Sequence, residues 1–159
     1  MGHTALNDAL LVARCKLMSR PKSTKAIIVL GDGADTASVT QNEELMAIFE
    51  GTPIRVYAIQ ARGGGNRSSN TLVNANMLVT RHKADIRMRS VLNELADKTG
   101  GLFHRLDKDE HPEKVFDRIL AELRNLYFVS YNNSGIPVDD KINVKIPGMK
   151  VRSLHVYRN

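Results

Sequence analysis

Residues 25 to 36 read KAIIVLGDGADT, an apolar run that stops at an Asp-Gly pair. Ala26 to Leu30 shows no polar alternation and is rich in β-branched residues, the pattern of a parallel strand covered on both faces. Upstream, Leu6, Leu10, Val12, Ala13 and Leu17 recur at mostly helical spacing from Ala5 to Met18, and SRPKS ends that helix. Downstream, TQNEELMAIFEGT combines an N-terminal Thr40, early acids, an apolar stripe at Leu45, Ile48 and Phe49, and a terminal Gly51. That is a helix with both ends marked.

The order then repeats. PIRVYAIQ reads as a strand, followed by a long Gly- and Asn-rich connection, DIRMRSVLNELADKTGG as helix, LFHRL as strand and HPEKVFDRILAELRNL as helix. Strands alternating with helices predict right-handed crossovers and an α/β fold, a partial Rossmann-like doubly wound sheet of three parallel strands with flanking helices. After Leu126 the pattern changes to YFVSYN, a turn-prone NSGIPVDD, KINVKIP, GMK and VRSLHVY, with a tight join at Pro147-Gly148. These runs predict an antiparallel β extension that packs on or continues the sheet. The organisation is therefore an α/β part over residues 1–125 and a β extension over 126–159.

At 159 residues and 42% hydrophobic content the chain has the length and composition to bury a core, and no apolar run approaches a membrane span. The single cysteine, Cys15, excludes an internal disulfide and a cysteine metal cluster; its type is most often a small buried apolar residue. Arg62, Arg67, Arg81, Lys83, Arg87 and Arg89 face Asp85 alone within residues 61–89, so this segment carries +5 of the net +6. Such a segment can attract phosphates or anionic surfaces, but no aromatic residue interleaves the cations to stack bases, which favours a solvated basic loop. The N-terminus shows no basic stretch followed by an apolar core of the kind an export signal has.

GHTALNDAL and AIIVLGDGAD together resemble the von Willebrand factor A-type domain, being similar to its Gly-x-Thr-Ala-Leu loop and to its apolar strand ending in Asp-Gly. GTPIRVYAI, LNELADKTGG, LRNLYFVSY and the tail INVKIPGMKVRSLHVY look like the later part of bacterial members. The resemblance covers nearly the whole chain and is least over residues 61–84. It implies a protein-interaction or adhesion module, a bacterial cell-envelope or secreted setting, and a metal-ion-dependent adhesion site holding magnesium. The family builds that site from an Asp-x-Ser-x-Ser loop, a threonine loop and an aspartate loop. Only the last two have counterparts, in Thr4 and Asp32; no Asp-x-Ser-x-Ser occurs in the sequence. The expectation is thus the C-terminal part of such a domain, a truncated domain beginning at the second metal loop, with an incomplete site and an unpaired apolar edge on KAIIVLG open to self-association.

Thr4 would supply a hydroxyl and Asp32 a carboxylate above the carboxyl end of the sheet, which suits an ion that prefers hard oxygens and keeps several waters. The plainer reading makes Thr4 a helix cap, Asp32 a turn residue and nearby Asp35 a solvated loop acid. Asp32 with Asp35 also admits a metal-dependent phosphohydrolase, and the basic segment admits an anion- or nucleic-acid-binding protein. Neither glycine-rich stretch completes a dinucleotide or phosphate-loop fingerprint: Thr36 stands where LGDGADT needs a third glycine, and Asn66-Arg67 follows the glycines of GGGNRSS. His3, His82, His104, His111 and His155 have no metal-ligand spacing, and no Gly-x-Ser-x-Gly elbow is present. His3, beside Thr4, reads as a surface histidine. The expected function is therefore non-enzymatic, and magnesium binding by this chain is expected to be weak or absent.

Overall fold

The computed structural model describes residues 3–21, 24–31, 35–61, 91–127 and 147. Helix α1 (Leu6–Met18), strand β1 (Lys25–Gly31), helix α2 (Asn42–Phe49) and strand β2 (Ile54–Gln60) follow in order. Residues 91–98 are helical and form α3, and strand β3 (Phe103–Arg105) and helix α4 (Pro112–Arg124) complete the elements. All strand pairs are parallel, in the order β1-β2-β3. The open parallel α/β sheet expected from the sequence is therefore present. The expected antiparallel extension falls on residues outside those described, apart from Leu126, Tyr127 and Pro147. No helix among the described residues is long and apolar enough to cross a membrane.

Period-two alternation sorts the strand residues onto two faces. Ile27 and Val29 of β1 and Val56 and Ala58 of β2 face a core built with Leu10 of α1, Leu45, Met46 and Phe49 of α2, and Val91, Leu92 and Leu95 of α3. On the other face Ala26, Ile28, Tyr57 and Ile59 meet Val115 and Ile119 of α4 together with Leu106. Tyr57 is fully buried and donates its hydroxyl to Glu122 Oε1 at 3.0 Å, so its polar end is satisfied at the margin of the core.

The strand covered most completely on both faces is β2, whose Ile54, Val56, Tyr57, Ala58 and Ile59 are all buried. KAIIVLG of β1 is likewise packed on both faces, through Ile27 and Val29 on one and Ala26 and Ile28 on the other, but less completely. Among the described residues β1 has β2 as its single strand neighbour, its residues are only partly buried, and Leu30 is 62% exposed. Two expectations change. Thr40 is not the cap of α2, whose N-cap position is Gln41 with no side-chain hydrogen bond, because the Thr40 hydroxyl is donated to Asp8. Cys15 is exposed, since the buried stripe of α1 runs through Asn7 and Leu10 and position 15 falls outside it.

The end of α3 shows how tightly helix and sheet are joined. Gly100 has φ 66°, its N–H donates to Asp97 O at 3.2 Å, and the Gly101 N–H donates to Ala96 O at 2.8 Å. These two bonds close the helix in the Schellman manner. The Thr99 hydroxyl donates to Leu95 O at 2.7 Å and accepts the Val56 N–H at 3.0 Å, and Arg55 Nη1 donates to Gly100 O. The run Thr99-Gly100-Gly101 thus fastens α3 to the backbone of β2.

Candidate functional site

Parallel strands put the loops that leave their carboxyl ends on one edge of the sheet, where open α/β folds hold ligands. There the segment entering α1 lies against the loop that follows β1. The Thr4 N–H donates to Thr36 Oγ1 at 2.9 Å, and Thr4 O accepts the N–H groups of Thr36 and Ala37 at 2.8 and 3.1 Å. The two loops named in the sequence are therefore neighbours. Thr4 is exposed and its hydroxyl has no hydrogen-bond partner among the described residues. Asp32 lies outside the described residues, as does the basic segment beyond Ala61. His3 is exposed.

Two carboxylates lock these loops together. Asp35 Oδ2 accepts the Asn7 N–H at 2.9 Å and the Ser38 hydroxyl at 2.6 Å, while Oδ1 accepts the N–H groups of Ala37 and Ser38 at 3.2 and 3.0 Å. A carboxylate has about four acceptor positions, and Asp35 has all of them filled. In the opposite direction, Asp8 Oδ1 accepts the Thr40 N–H and hydroxyl at 3.0 and 2.6 Å, and Oδ2 accepts the Val39 N–H at 3.0 Å. Asn7, 4% exposed, adds amide bonds to Thr40 O and Asn42 Oδ1. Helix α1 supplies an acid to the loop, and the loop supplies an acid to the first turn of α1.

This arrangement revises the plainer readings. The N-cap position of α1 is Ala5, with no side-chain cap of its own; the capping acceptor for the Asn7 N–H comes from Asp35, 28 residues away in the sequence. Thr4 is therefore not the cap, and Asp35 is not a solvated loop acid. With its oxygens engaged, Asp35 is a positioning group and offers little to a cation or a substrate. The Asp35-to-Ser38 bonds follow the local pattern by which aspartate closes a turn on itself, which ADTAS carries in plain view. Asp8, Asn7 and Thr40 were missed, because their partners lie across some thirty residues and nothing in α1 alone marks them.

Both acids titrate below their ordinary value of 3.8. For Asp8 the Thr40 hydroxyl is the main cause, followed by the Val39 and Thr40 N–H groups. For Asp35 desolvation pushes upward, and the combined bonds from Ser38, Asn7 and Ala37 outweigh it. Depressed folded values mean that the ionised brace stabilises the fold above the ordinary aspartate range, and that this contribution disappears as pH falls through the folded values. Urea midpoints are accordingly expected to stay level near neutrality and to fall below pH 3.8, with a smaller fall in Asp35→Asn. Equal acid sensitivity in both proteins would mean that Asp35 makes no contribution to the acid transition.

At the carboxyl end of β3, His104 Nε2 lies 2.8 Å from Glu110 Oε2, which also accepts the Asp107 N–H at 3.2 Å. The His104 bond, then the Asp107 N–H, hold Glu110 below its ordinary value. This pair closes the turn before α4, and sequence spacing alone did not mark it. An open depression of about 460 Å³ lies between α2 and α3, with Glu43, Met46, Val91 and Lys98 among its walls. Neither Thr4, Asp35 nor Ser38 lines it, so it has no part in the loop site. No group of three or more His, Cys, Asp or Glu residues arranged for a metal occurs among the described residues.

Fold and loop arrangement define an open parallel α/β protein with an apposed loop pair at the carboxyl end of β1. No family model, curated protein or solved structure matches the chain.

Proposed function

We propose that this chain is a non-enzymatic protein-interaction module of the von Willebrand factor A type, with a partial cation site formed by Thr4 and Asp32. The observation that supports the reading best is the pairing of the Thr4 backbone with Thr36 and Ala37, which sets the threonine loop beside the aspartate loop and leaves the Thr4 hydroxyl exposed. A hydroxyl and a carboxylate fit a magnesium ion that retains most of its waters. When bound, the ion would present an open coordination position to an acidic oxygen of a partner protein. The chain's own part is to hold Thr4 in place through Thr36 and to keep the loop rigid through Asp35 and Asp8.

Saturation of the Asp35 carboxylate weighs against the phosphohydrolase alternative, which needs that group free. With magnesium present, hydrolysis of p-nitrophenyl phosphate is expected to stay at background in wild type and in Asp32→Ala alike. Turnover that Asp32→Ala abolishes would replace the module by a hydrolase.

A second reading, self-association through β1, is favoured by a separate observation. The strand is apolar from Ala26 to Leu30, carries no charge or proline there, and is only partly covered. Natural edge strands usually carry such blocking groups, and an unblocked edge accepts another strand.

A further inference from the structure

The backbone of β1 specifies how a second copy would fit, an inference that rests on the self-association reading. Gly31 O accepts the Ala61 N–H at 2.8 Å, so the polar backbone groups of Gly31 point to β2. Groups alternate sides along a parallel strand, and the register of Lys25 with Ile54 through Gly31 with Gln60 has no break. Lys25, Ile27, Val29 and Gly31 therefore bond to β2. Ala26, Ile28 and Leu30 direct their N–H and C=O groups away from it, to a side where no described strand lies.

We infer that two copies of this chain pair β1 with β1 in antiparallel fashion about a two-fold axis at Ile28. The outward groups sit at 26, 28 and 30, a spacing symmetric about Ile28. A two-fold there sets Ala26 opposite the partner's Leu30, Ile28 opposite the partner's Ile28, and Leu30 opposite the partner's Ala26. Each is a pair that exchanges both hydrogen bonds, so every outward group finds a mate. The axis stands perpendicular to the sheet, so the side chains at 26, 28 and 30 of both copies share the α4 face, and Leu30, now 62% exposed, gains an apolar neighbour. A strand edge is small beside the ~1,200 Å² of a stable interface, and the dimer is expected to be reversible.

The test combines sedimentation, amide exchange and crosslinking on the full chain. Wild type is expected to rise from monomer toward dimer mass with concentration, and Leu30→Lys to stay monomeric with an unchanged melting temperature, because the replaced side chain is already exposed. Exchange of the Ala26, Ile28 and Leu30 amides should slow with concentration, while Ile27, Val29 and Gly31 stay protected throughout. In a Cys15→Ser background, Ile28→Cys should oxidise to a disulfide dimer about tenfold faster than Val29→Cys, since directly opposed Cα atoms in such pairs lie near the ~5.5 Å a disulfide spans. A chain that remains monomeric at every concentration overturns self-association itself. A dimer that survives Leu30→Lys, or that crosslinks faster through Val29→Cys, overturns this register and leaves self-association through another surface. A monomer with Ala26, Ile28 and Leu30 already protected shows that another segment of the same chain fills the edge, and overturns both.

Discussion

Replacing Gly101 by alanine is expected to destabilise the protein by about 3 kcal/mol, the range in which forced overlap in a packed interior falls. A Cβ at this position would overlap the carbonyl oxygen and carbon of Val56, and the obstacle is backbone rather than the movable end of a side chain. Val56 belongs to the central, fully buried strand, and its N–H is already fixed by the Thr99 hydroxyl, so β2 has no room to withdraw. The neighbouring Gly100 provides the comparison. At φ 66° its alanine variant suffers conformational strain of about 1 kcal/mol without the steric overlap. Urea denaturation of the two variants should therefore rank Gly101→Ala well below Gly100→Ala. Equal midpoints would show that α3 does not sit as close to β2 as described.

Asp35→Ala is the second large effect. It removes the acceptor for three backbone N–H groups and one hydroxyl, including the cap of α1, and a cost of about 2 to 3 kcal/mol follows from losing a cap and leaving donors unpaired. Water can reach the exposed Ala37 and reduce its share. Asp35→Asn keeps one acceptor oxygen and should retain about half of the stability at issue. Amide exchange at Asn7 and Ser38 should speed up in Asp35→Ala before it does in the β2 core, because the brace opens locally. Unchanged exchange at Asn7 would mean that the first turn of α1 is held by something other than Asp35.

The sequence was most legible where a single residue pattern decides the outcome. KAIIVLG and PIRVYAIQ fall on β1 and β2 because parallel strands read as continuous apolar runs, and Gly51 ends its helix at φ 68° as its type suggests. What could not be read was which run lies inside the sheet. Ile27 to Leu30 and Val56 to Ile59 are equally apolar, and order across the sheet, not composition, leaves Leu30 exposed while Ile59 is 3% exposed. The loop pair was legible in part. Thr4 and Asp35 stood out by type and position, but the brace that gives Asp35 its role runs to Asn7, and its counterpart runs from Asp8 to Thr40, distances along the chain that no local pattern encodes. Cys15 went to the surface for the same reason: the face of α1 that is buried depends on what packs against it.

Manganese titration followed by NMR tests the central claim most directly, because a paramagnetic ion at a weak site broadens only the resonances beside it. With the ion held by Thr4 and Asp32, the amides of Thr4, Ala5, Asp35 and Thr36 should broaden first, at millimolar manganese as at the weak end of oxygen-ligand sites. Asp32→Ala should abolish the effect while the spectrum of the β2 core is unchanged. Broadening centred away from these residues, or persisting undiminished in Asp32→Ala, would contradict a cation site on the Thr4 and Asp32 loops.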